Sequence, residues 1–221
     1  MRRTRRGMIE DEKALDRVVF FSDAVFAIAM TLLVVDLRVP IIPSGLPSAV
    51  ENERLATALR GLEGPLFSFA LSFFVLGLLW IVHHRKFRLI RRYDDRLLWL
   101  NLLFLFCVAF LPFPTAVLGR YGGQTATVFY ALSMTAAGLF SALITVYAYA
   151  GHRLIPDDID SRSIRHWIRR SFVVPVIFLA SVPVAFLSAA AAQAMWLLTF
   201  LATYALELVF ARRRSPDWDE G

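Results

Sequence analysis

The stretch from Arg17 to Leu37, RVVFFSDAVFAIAMTLLVVDL, constrains this chain more than any other, being apolar except for a Ser-Asp pair near its start and one central threonine. Its 20 residues from Val18 to Leu37, at ~1.5 Å of helical rise each, span the ~30 Å hydrocarbon core of a bilayer. The stretch therefore predicts a membrane-crossing helix. At ~100° per residue, Ala24, Ile28, Thr31, Leu32 and Val35 fall on one side of that helix. Ser22 and Asp23 point well away from this stripe. If the stripe faces a symmetry axis, the Ser-Asp pair faces neighbouring helices.

Composition places the rest of the chain in the same environment. It is 57% hydrophobic and 14% aromatic, above the ~45–50% apolar usage of soluble domains. The formal charge is +6, which by itself is compatible with nucleic-acid binding. The basic residues, however, sit in short clusters between apolar runs, as the positive-inside rule requires of cytoplasmic loops, so no nucleic-acid partner is expected. The single cysteine, Cys107, lies inside an apolar segment and permits no intramolecular disulfide. The N-terminal run is too long for the ~7–15 residues of a signal-peptide core and has no small-residue cleavage site, so the first helix is expected to stay in the mature protein.

The apolar runs predict an all-α, multi-pass membrane protein with a single transmembrane domain over residues 1–221. Its six crossings are expected at about 18–37, 62–82, 97–118, 125–150, 172–190 and 194–211, with a tight turn near Gln193 between the last two. A short polar helix is expected over Ala49 to Arg60, a proline break at LPFPT (Leu111 to Thr115), and a polar loop over GHRLIPDDIDSRSIRHWIRR. The small residues of the fourth run, Ala136, Ala137, Gly138, Ser141 and Ala142, permit close helix packing. Six crossings put both termini on one side. That side holds 20 of the 24 Lys/Arg residues, the other four being Arg38, Arg54, Arg60 and Arg120. Both termini are thus expected in the cytoplasm.

The motifs of soluble enzymes are missing from the sequence: there is no phosphate-binding Gly-rich loop, no G-x-S-x-G and no Cys/His set with zinc spacing. No enzymatic activity, cofactor or tightly bound metal is expected. His83 and His84 are adjacent, hence ~100° apart on a helix, and cannot face one metal. There is also no T-V-G-Y-G filter of backbone carbonyls, so any ion conduction must use side chains. Odd helices start and even helices finish at the cytoplasmic end, which gathers Arg17, Ser22, Asp23, Trp80, His84 and Asn101 at one level. Trp80 and His84 share a face at i, i+4. A hydrogen-bonded cluster would satisfy these groups in a low-dielectric setting. Asp23 also reads as a hydrated interfacial charge, and the Thr31 hydroxyl as one bonded to a carbonyl a turn back.

The string from Arg17 to Asp36, R-x-x-x-F-S-D-A-V-F-A-I-A-M-T-L-L-V-V-D, resembles the signature first helix of the transmembrane protein 175 family of potassium channels, in its short prokaryotic form. Asn101 and the LPFPT segment also look like that family's third helix. The resemblance covers the first 120 residues; the last three helices match in number and length. It implies a homotetramer in the lipid bilayer with K+ as the permeant ion. Ile28, Thr31, Leu32 and Val35 would line the pore, with Ile28 and Val35 as apolar constrictions and the Thr31 hydroxyls near the partly dehydrated cation. It further implies a structural polar network of Arg17, Ser22, Asp23, Trp80, His84 and Asn101. Ala24 stands where the family commonly has glycine, and Val35 where it has leucine. The competing reading is a proton-coupled secondary transporter relaying protons through Asp23 and His84. An uninterrupted first helix and no convincing internal repeat favour the channel.

Overall fold

The structure, a computed structural model, describes the backbone over residues 5–212 and side chains over residues 15–206. Of the basic residues in the orientation count, Arg2, Arg3, Arg213 and Arg214 lie outside the described residues. Among the described residues there are helices and no strands, and six helical stretches are long and apolar enough to cross a membrane.

The first helix, α1 (Arg5–Leu32), starts earlier than the apolar run and stops short of its end, tightening into a 3-10 turn over Leu33–Asp36. In a 3-10 turn residues three apart eclipse each other, so Val35 stays above Leu32. The expected polar helix follows as α2 (Ser48–Arg60), which buries no residue, and α3 (Glu63–Phe87) is the second crossing. The third crossing is broken where the prolines dictate. There α4 (Asp95–Phe110) ends before Pro112, whose missing N–H and fixed φ suit the first turn of α5 (Pro112–Tyr121). Gly122, at φ +60°, then reverses the chain in a left-handed conformation that residues with a Cβ adopt at a cost.

The fourth crossing, α6 (Gln124–Tyr149), is the centre of the bundle. Of its most apolar 18-residue window 56% is buried within the chain, against 22% for the first and sixth crossings. Its small residues let α8 (Val173–Ala185) approach until a Cβ built on Gly138 would stand 2.7 Å from Pro175 Cδ and 2.9 Å from Pro175 N. That contact has backbone on one side and a rigid ring on the other, so neither can yield. Gly138→Ala is expected to destabilise the chain by ~1–3 kcal/mol. A thermal unfolding midpoint in detergent equal to that of the parent would refute this packing. Around α6 the interior is aromatic, with its indole and phenol groups hydrogen-bonded. Trp196 lies 4.9 Å from Tyr130 and 5.4 Å from Phe178 between ring centroids, and its Nε1 donates to Ser181 Oγ (2.8 Å). Tyr130 pairs with Ser72 (2.8 Å), which accepts from Thr115 (2.8 Å).

Two segments differ from the sequence expectation. The polar loop after α6 contains a helix, α7 (Ser161–Ser171), because the Asp160 carboxylate caps it, accepting from Arg162 N (3.0 Å) and Ser163 N (3.1 Å). Those bonds, the one from Arg162 N–H foremost, hold the Asp160 carboxyl below the usual carboxylate range. Second, the turn between the fifth and sixth crossings falls at Phe186 to Ser188 rather than near Gln193. Ser188 caps α9 (Ala189–Trp196) by accepting from Ala191 N, and α10 (Leu198–Arg212) completes the sixth crossing. Gln193 lies within α9 and donates to Gly122 O and Thr127 Oγ1.

Candidate pore helix and its polar anchor

Two faces of α1 have opposite fates. Phe26, Ala29 and Leu33 are at most 2% exposed and Ser22 is fully buried, so this face packs on α3 and α4. Turned the other way, Ile28 is 59% exposed, Leu32 46% and Val35 67%, and Ala24 and Thr31 are exposed with them. The stripe predicted by helical phase is thus the one that this chain leaves uncovered. Thr31 Oγ1 lies 2.9 Å from both Ala27 O and Ile28 O, so its proton is turned back to the helix. A hydroxyl that donates inward presents its acceptor lone pairs outward, where a cation would need them.

The packed face is anchored by polar groups. Ser22 Oγ donates to Val18 O (2.8 Å) and accepts from Asn101 Nδ2 (3.0 Å), tying α1 to α4. Asp23 Oδ1 accepts from Trp80 Nε1 at 2.8 Å, tying α1 to α3, and the Trp80 ring lies 5.8 Å from that of His84 one turn on. Five of the six side chains read as a network, Ser22, Asp23, Trp80, His84 and Asn101, are therefore gathered at one end of three helices. The sixth, Arg17, is exposed and hydrogen-bonds to none of the five. It lies more than a turn ahead of Ser22, on the exposed side of the helix between buried Leu15 and half-buried Val18. Asp23 and His84 are joined through Trp80 rather than to each other, so the pair proposed as a proton relay has an indole between its members.

Sequence reasoning considered His83 only as a metal ligand and missed its place in this anchor. The ring is fully buried, stacked on Phe104 at 5.2 Å (27° between planes), 4.4 Å from Phe87 and 5.9 Å from Phe26. Neither ring nitrogen has a hydrogen-bond partner. His83 thus acts here as an aromatic spacer between α1, α3 and α4. Among the described residues, no three His, Cys, Asp or Glu side chains are grouped to hold a metal ion.

Comparison with known proteins gives this geometry its context. The family model described as the endosomal/lysosomal potassium channel TMEM175 matches residues 17–112, the segment that carries the whole anchor. A potassium channel of Streptomyces collinus is 39% identical over 149 residues, covering 63% of this chain and 68% of the relative. One of Chamaesiphon minutus is 31% identical over 183 residues, covering 80% of this chain and 87% of the relative. The crystal structure of a lysosomal potassium-selective channel TMEM175 homologue from Chamaesiphon minutus superposes with a TM-score of 0.72 at 26% identity. It covers 92% of this chain and all of that one, including the last three crossings.

Proposed function

The chain belongs to the TMEM175 family of ion channels, and from that premise we propose that it is a potassium-preferring cation channel, a homotetramer whose pore is lined by α1. The observation that carries the reading is the uncovered stripe of α1. One helix cannot enclose a path, and this one offers its phase-matched residues to no other part of its own chain. Closed cyclic symmetry supplies the other walls, with four copies of the stripe around one axis. Rings of Ile28 and Val35 then form apolar constrictions that resist wetting, Leu32 lies between them, and outward lone pairs of Thr31 share the load of a partly dehydrated K+. Ser22, Asp23, Trp80, His84 and Asn101 hold the helix in register from behind. The relatives in Streptomyces collinus and Chamaesiphon minutus are named potassium channels, which supports the choice of ion. By the bias of basic residues we place both termini in the cytoplasm, and by the bacterial relatives we place the protein in a bacterial-type plasma membrane.

Cross-linking tests the shared axis. In a Cys107→Ser background, Val35→Cys is expected to form inter-subunit disulfides under oxidant, in a particle of about four times 25.0 kDa. A monomer that conducts in a planar bilayer would refute the pore proposed here.

A further inference from the structure

Two connections at one end of the bundle are fastened into a single surface. The carbonyl of Leu154, after α6, accepts hydrogen bonds from the backbone N–H groups of Arg91 (2.8 Å) and Arg92 (3.3 Å), which follow α3. Tyr147, in the last turn of α6, donates to the Asp94 carboxylate, and the Arg153 guanidinium lies over the Tyr147 ring at 4.7 Å. The other Asp94 oxygen caps α4 by accepting from Leu97 N. Asp94 and Asp160 are both occupied by caps, and the exposed carboxylates of these connections are Asp95, Asp157, Asp158 and Asp160. Against them stand eight exposed arginines: Arg88 and Arg96, and a further six, Arg91, Arg92, Arg153, Arg162, Arg165 and Arg169.

Three of the six belong to α7 and share one face. At ~100° per residue, Arg162, Arg165 and Arg169 fall within an arc of ~60°. Ser163, Ile164 and Ser171 are buried on the opposite face, and Trp167 packs against Tyr149 with ring centroids 5.6 Å apart. By helical rise Arg169 and Arg165 stand ~6 Å and ~12 Å before Val173, where the apolar α8 begins. At ~6 Å Arg169 lies within the headgroup layer, which occupies ~5–8 Å on each side of the hydrocarbon, and Arg165 lies on the aqueous side of it. Guanidinium groups bind phosphate oxygens bidentately, and their long stems let them reach back toward the interface.

We propose that this fastened surface binds anionic phospholipid headgroups, with Arg162, Arg165 and Arg169 of α7 and Arg91 and Arg92 of the neighbouring loop as the phosphate ligands. A headgroup is chosen over a free anion because the arginines begin within a turn of the hydrocarbon boundary. A phosphodiester tethered there meets the guanidiniums while its acyl chains lie along α8. The loop geometry is set by backbone bonds and two occupied carboxylates, so little ordering remains to be done on binding. The inference stands apart from the channel reading, since it needs neither conduction nor a particular orientation.

Native mass spectrometry of the detergent-solubilised protein, titrated with phosphatidylglycerol or phosphatidylcholine, provides the test. The wild-type chain is expected to retain phosphatidylglycerol in preference. The triple variant Arg162→Gln, Arg165→Gln, Arg169→Gln should retain it roughly a hundredfold less well, each basic residue near an anionic surface being worth about fivefold. Arg→Lys changes at the same three positions should restore most of the binding, which separates charge from packing. Arg54→Gln with Arg60→Gln, on α2, should change nothing. Retention in the triple Gln variant equal to wild type, or an equal loss of phosphatidylcholine, overturns the proposal. So does displacement of the lipid by excess inorganic phosphate, which would make the surface a site for free anions instead.

Discussion

Replacing Ile28 with Asn is expected to raise the cation current through the reconstituted protein at least several-fold. A ring of four isoleucine side chains offers a cation no ligand and is costly to wet, so it sets a barrier inside a narrow path. Four amides at the same level hydrogen-bond water and lower the cost of hydrating the ring. A barrier lowered by ~1.4 kcal/mol passes ~10 times the current. The change should be cheap for the fold, because Ile28 is 59% exposed in the isolated chain and loses no intrachain core contact of consequence. Leu102→Asn is the matched control. Leu102 is 47% exposed on α4, on the side turned away from buried Asn101, Phe104 and Leu105. Its substitution should leave the current unchanged. A tetrameric Ile28→Asn protein with wild-type current in planar bilayers would place the constriction somewhere other than α1.

Asp23→Ala is expected to weaken the protein rather than retune it. The substitution removes the acceptor of Trp80 Nε1 and frees α1 from α3 at the level where the helix must be held. Trp80 is 37% exposed, so losing this bond costs ~0.5–1.5 kcal/mol per chain. The loss recurs in every subunit, so the expected outcome is a lowered unfolding temperature and a smaller tetramer fraction on size exclusion. Asp23→Asn separates the bond from the charge. Its amide oxygen can accept from the same N–H, so Asn should recover most of the stability lost in Ala. Equal damage from both variants would show that the carboxylate charge matters more than the hydrogen bond. A stable Asp23→Ala tetramer with altered K+ over Na+ preference would move Asp23 into the ion path.

Much of the anchor was legible in the sequence because it follows from parity and spacing. Odd crossings begin where even ones end, which puts Ser22 and Asp23 level with Trp80, His84 and Asn101. The i, i+4 spacing of Trp80 and His84 gives one face of α3. The structure adds which atoms pair, Asn101 with Ser22 and Trp80 with Asp23, and leaves Arg17 out. The break in the third crossing was equally readable, since Pro112 removes a backbone donor. His83 was not, because two of the rings that enclose it, Phe26 and Phe104, come from other helices, and the i, i+4 spacing to Phe87 alone does not show burial. The segment containing α7 read as a loop because its arginines dominate its polarity. Its signals were subtler: Asp160 at the capping position, then Ile164, Trp167 and Ile168 at helical intervals. Gln193 misled in the other direction. A polar residue in an apolar run suggests a turn, whereas here it stays helical and bonds to Gly122 and Thr127 across the bundle.

The chain keeps its most deeply packed crossing, α6, away from the helix whose stripe faces outward. On the pore proposed here, structural integrity and the surface presented to ions are thereby carried by different residues. Val35 and Ile28 can change without disturbing the Trp196, Tyr130 and Phe178 cluster, and Gly138 can be lost without touching the stripe. A lineage built on this plan can vary conductance and ion preference by single substitutions while its fold stays constant. The converse also follows: laboratory selection for thermal stability should enrich changes around α6 and α8 and leave permeation untouched.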